Sequence, residues 1–130
     1  MSTFDRRPGR RVALIYLAVA AFCGVFAAVY EHFSHGVYSP WMVCLFAWPL
    51  VGGALPYALL RRPPETLSSR LRWARLAHHA AVASATVGSC VQGVLDIYGT
   101  TSDWVITYWI AALTFALAAA VLGTHVAPRD

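Results

Sequence analysis

Residues 11–30 read RVALIYLAVAAFCGVFAAVY. After Arg11 the stretch holds no charged side chain, and its apolar residues form an unbroken run instead of an amphipathic stripe. A helix that is apolar all round belongs in a large core or in lipid, and a bilayer core of about 30 Å takes about 20 residues of helix to cross. The stretch therefore predicts a membrane span.

Moving outward, three further runs meet the same test, at residues 40–60, 76–97 and 104–125. They lack period-2 alternation and are rich in alanine and leucine, which excludes a closed β-barrel. With short connections between them, the expected fold is all-α: a polytopic membrane protein built as an antiparallel four-helix transmembrane bundle. It would occupy residues 11–125, between an arginine-rich tail at 1–10 and a short tail at 126–130.

Composition agrees. Of the 130 residues, 58% are hydrophobic and only 12% charged, against about 25% charged in soluble domains. The net charge of +4 invites a nucleic-acid reading, but every basic residue is an arginine flanking a hydrophobic run, and Trp73 alone stands among them, too little for the row of aromatics that a base-stacking platform requires. No nucleic-acid partner is expected. The first run is long enough to span and has no small-residue cleavage site after it, so it reads as a retained span and not a signal peptide. Cys23, Cys44 and Cys90 lie inside hydrophobic runs without C-x-x-C spacing and read as small buried hydrophobes.

Arginine placement sets the expected orientation. Arg6, Arg7, Arg10 and Arg11 sit at or before the first span, and Arg61, Arg62, Arg70, Arg72 and Arg75 lie between the second and third. Residues 31–39 and 98–103 have neither lysine nor arginine. By the positive-inside rule both termini, with Arg129, are cytoplasmic. Tyr38, Trp41, Tyr98, Trp104 and Tyr108 then form an outer aromatic belt.

Ser39-Pro40 offers an N-cap and a proline at the first helical position of the second span. Further along that span, Pro49 and Pro56 flank Gly52-Gly53 and leave carbonyls without their usual donors, which predicts a kinked or broken helix. Such breaks occur as static kinks and also at transporter binding sites.

Polar residues inside spans are costly and therefore informative. At about 100° per residue, Thr86, Ser89, Gly93 and Asp96 fall within an arc of about 80° on the third span, with Gln92 beside them. Ala85, Ser89 and Gly93 suit close helix approach there, whereas the bulk of Val82 predicts that it stops one turn nearer the cytoplasm. Asp96 and Gln92 need partners. At the same membrane face, Glu31-His32-Phe33-Ser34-His35 would, as a continued helix, put Glu31 and His35 at i,i+4.

Because the first and third spans both run outward, Glu31 and Asp96 reach the same side of the membrane and could meet in a four-helix bundle. The candidate ligand-binding set is Glu31, His32, Ser34, His35, Tyr38, Gln92 and Asp96, and within it Glu31, His35 and Asp96 would be the ligands of a divalent metal ion. A proton-coupled or amine-bearing ligand fits the same groups, and so does a purely structural network. His78 and His79 near the other face read as interfacial histidines. A haem would need a facing histidine at their depth, which only His125 could supply.

Three strings, YEHFSHGVYSPWM at 30–42, WPLVGGALPY at 48–57 and VGSCVQGVLDIYGTT at 87–101, resemble a group of small bacterial four-span membrane proteins. The resemblance implies membrane location and no particular activity. The absence of lysine beside abundant arginine and alanine suggests a high-GC bacterium, and the expected location is its inner membrane. The leading expectation is a transport or sensing component that binds a cation or small polar ligand at an outer pocket, as a homodimer or with a larger membrane partner. A non-catalytic subunit of a membrane complex is the alternative, followed by a haem- or quinone-linked redox protein. Paired cysteines and catalytic motifs are lacking, so no enzyme activity is expected.

Overall fold

In the computed structural model, residues 8–59 and 69–124 are described. The expectations placed on Arg6, Arg7, Arg61, Arg62, His125 and Arg129 lie outside them. Helix α1 spans Pro8–Phe33, α2 is the short Pro40–Val43, a π-helical stretch runs Trp48–Ala54 directly into α3 at Leu55–Leu59, α4 spans Ser69–Tyr98 and α5 spans Val105–Thr124. No strand occurs among the described residues. Four helical segments, Gly9–Phe33, Pro40–Leu59, Ser69–Tyr98 and Val105–Thr124, are long and apolar enough to cross a membrane.

One boundary moves by about two turns. The expected loop up to Arg75 is shorter, because α4 begins at Ser69 and carries Arg70, Arg72 and Arg75 on its first turns. At 30 residues it is about 45 Å long, enough to project past both sides of a bilayer core. The second span is broken as its prolines and glycines require, with turns at residues 44–46 and a widened π-helical coil around Gly52-Gly53.

The segments alternate in direction. Ser39, just before α2, meets the ends of both α1 and α4, while Tyr57 near the end of α3 meets the early turns of α1 and α4 through Tyr16 and His79. Span two packs against α1 on one side and α4 on the other, and α5 packs along α4. Among the described residues, Glu31, Asp96 and Asp103 share one end of the bundle, and Arg10, Arg11, Arg70, Arg72 and Arg75 share the other. We refer to these as the acidic and basic ends.

A small core of Cys23, Ala27, Met42 and Leu45, ringed by Tyr30, Cys90, Val94 and Ile97, joins α1, α2 and α4 near the acidic end. Cys23 fits its expected burial, but Cys44 is exposed on the bundle surface. Gly93 is where α4 touches α2: a Cβ there would stand 2.9 Å from the backbone nitrogen of Met42. Ala85 and Ser89 are buried on the same face, and Ser89 Oγ donates to the Trp41 carbonyl at 2.8 Å. Contrary to expectation, close approach does not stop at Val82. Its bulk is accommodated by Gly52, where a Cβ would lie 3.1 Å from Val82 Cγ2. Small and large residues exchange places between the two helices.

Candidate functional site

At the acidic end, Ser39 is fully buried and bridges two carboxylates. Its backbone N–H donates to Glu31 Oε1 at 3.1 Å, and its hydroxyl donates to Asp96 Oδ2 at 2.8 Å. Gln92 Nε2, one turn before Asp96, donates to Asp96 Oδ1 at 2.7 Å. Ser39 stands in the N-cap position ahead of Pro40, yet its hydroxyl makes no capping bond to α2. The acid on α4 has taken the hydroxyl.

Local structure fixes both acids. Gly99, at φ +70°, ends α4, with its N–H on the Asp96 carbonyl and the Thr100 N–H on the Leu95 carbonyl. This paired closure holds Asp96 on the last turn. On α1, Ser34 Oγ lies 2.7 Å from the Glu31 carbonyl and 2.6 Å from that of Val37, folding the chain back after Glu31.

The remaining expected site residues do not join them. Helix α1 stops at Phe33, and His35 (φ 56°) and Gly36 (φ 89°) turn the chain through the left-handed region, so the i,i+4 pairing of Glu31 with His35 is not formed. His35 and Tyr38 are exposed, and His32 is exposed with its ring edge-on to Phe33. Among the described residues no three His, Cys, Asp or Glu side chains gather closely enough to hold a metal ion. The Glu31, His35, Asp96 metal set is therefore not assembled, because the helix needed to carry His35 has already ended.

One atom is left over. Glu31 Oε2 is buried and has no hydrogen-bond partner among the described residues. A buried acceptor without a donor costs about 1–3 kcal/mol, and more when it carries charge. The acidic end thus holds two carboxylates on one serine, with one open oxygen and no arginine of the described residues beside it.

A second polar cluster lies at the basic end. His79 is held between two tyrosines, with Tyr16 Oη at its Nδ1 and Tyr57 Oη 3.2 Å from its Nε2. The Tyr57 and His79 rings stack at an interplanar angle of 8°. In either neutral tautomer one tyrosine donates to the ring and the other accepts from it. His78 Nε2 donates to the Gly52 carbonyl at 2.7 Å. That carbonyl lies four residues before Pro56, which has no N–H to offer it, so His78 replaces a donor that the proline removed.

His78 and His79, expected as interfacial histidines, turn toward the protein. Both are half-buried, and the ring nitrogens that make contacts are committed to the protein. Matching depth could have suggested this: Tyr16, Tyr57 and His79 all lie about one turn inside the arginines that flank their spans. What could not be read is that Gly53 leaves room for the Tyr16 ring, which sits where a Cβ would be. Compared with protein-family models, curated proteins and solved structures, the chain matches none.

Proposed function

We propose that this chain is an integral protein of a bacterial inner membrane, with both termini cytoplasmic, that takes up a small cation or a cation-bearing polar molecule at its acidic, outward end as a transport or sensing component. The observation behind this is the buried, unpartnered Glu31 Oε2 in a site where Glu31 and Asp96 share Ser39. Three of the four carboxylate oxygens already accept a hydrogen bond. The fourth needs a donor or a positive charge, and an ammonium group or a hydrated monovalent cation supplies one.

Thermal unfolding of the protein in neutral detergent, across sodium, potassium, magnesium, calcium and simple primary amines, tests it. A ligand present at a hundred times its Kd adds about 2.7 kcal/mol of stability. At least one cation should raise the midpoint of the native protein and fail to do so in Glu31→Gln. Equal shifts in both proteins, or none in the native one, would remove the cation site.

The alternative, a non-catalytic subunit, draws support from α5, which packs along α4 and leaves most of its apolar surface to its surroundings. Capture of a membrane partner that is lost on Glu31→Gln, with no cation response in either protein, would favour it.

A further inference from the structure

The basic end carries a cavity of about 400 Å³ between α3, α4 and α5, within the roughly 300–1,000 Å³ of small-molecule sites. Ala116, Ala119 and Ala120 form its α5 wall, and Tyr57, Arg75 and His78 contribute the polar groups. The alanine wall offers nothing larger than a methyl group, so the slot stays open between helices whose outer surfaces are apolar. Its shape and lining suit a hydrocarbon chain.

The polar lining is mostly committed. The Tyr57 hydroxyl is engaged with His79, and His78 Nε2 with the Gly52 carbonyl. Arg75 differs: its guanidinium rests over the Tyr57 ring, 5.8 Å from the centroid, and the acids among the described residues all lie at the far end of the bundle. Arg75 lies about 9 Å along α4 from Ser69, a depth where a guanidinium meets headgroups while its stem stays in apolar surroundings. A guanidinium presents a fork of N–H donors matched to a phosphate.

We propose that this slot holds one anionic phospholipid, its phosphate on Arg75 and an acyl chain along the alanine wall of α5. Charge complementarity selects an anionic headgroup over a zwitterionic one, and the apolar slot selects a lipid over free phosphate. The lipid site shares only the membrane location with the proposed function and lies at the opposite end from Glu31.

Native mass spectrometry of the detergent-solubilised full chain, titrated with phosphatidylglycerol or with phosphatidylcholine of the same acyl chains, tests the proposal. Inorganic phosphate is run as a third arm. One phosphatidylglycerol should be retained in preference to phosphatidylcholine, and phosphate alone should not bind. Arg75→Gln should lower the preference about fivefold, as expected for one basic residue at a lipid surface, and Arg75→Lys should restore part of it. Arg72→Gln, on the exposed face of the same helix, should leave it unchanged, and Ala120→Phe should reduce retention of both lipids. Glu31→Gln should bind lipid as the native protein does, which separates this site from the cation site. Equal retention of the two lipids, equal losses in Arg75→Gln and Arg72→Gln, or saturation by phosphate alone would each overturn it.

Discussion

Ser39 uses its N–H and its hydroxyl on different helices, and the acidic end is organised around that choice. Removing the hydroxyl leaves Asp96 Oδ2 without its donor in a part-buried position. Ser39→Ala should therefore destabilise the protein by about 1–2 kcal/mol. A double-mutant cycle between Glu31→Gln and Asp96→Asn, read by unfolding in mixed micelles, should give a coupling of at least about 0.5 kcal/mol, because both side chains act on one residue. Additive effects would mean that the two acids do not share Ser39. The placement of Glu31 and Asp96 at one end was legible from the direction of their spans. The absence of His35 was not, because helical periodicity carries no information about where a helix stops. Gly36, a residue suited to the left-handed turn after α1, was the overlooked signal.

At the scale of elements, the contact of α4 with span two is an exchange of sizes. Gly93 admits the Met42 backbone, and further along Gly52 admits Val82. Gly93→Ala should cost roughly 1–3 kcal/mol by forcing the two backbones apart. Gly24→Ala is the control: the new methyl would lie 3.9 Å from Phe46 Cβ, an ordinary contact, and stability should hold or rise slightly. The same unfolding measurement checks both, and equal effects would contradict the close approach at Gly93. Sequence pattern revealed the small face of α4 and the break in span two, since both follow from residue type along one segment. It did not reveal the donor that compensates Pro56. His78 reaches the Gly52 carbonyl from a different helix, and only the packing of span two on α4 determines which histidine meets which carbonyl. The Tyr16–His79–Tyr57 chain was hidden for the same reason, since it draws one side chain from each of three segments.

Over the whole molecule, charge is divided lengthwise. The described acids gather at one end and the described arginines at the other, with four long apolar segments between them. This division was fully legible, because it depends on the order of charged and apolar residues along the chain and not on any side-chain contact. Exposed Tyr38, Tyr98 and Trp104 mark the acidic end at the level where aromatic side chains meet a membrane interface. The proposed outward placement of the carboxylate site rests on the arginines, and both the proposed cation site and the proposed lipid slot take their sides of the membrane from it. Labelling of single cysteines with a membrane-impermeant maleimide measures this directly, in protein whose Cys23, Cys44 and Cys90 have been replaced by alanine. In intact cells with a permeable outer envelope, Tyr38→Cys and Thr101→Cys should label, and Ser69→Cys should label only after lysis. Labelling of Ser69→Cys in intact cells with protection of the other two, or equal labelling of all three, would contradict a four-span bundle with its acidic end outward.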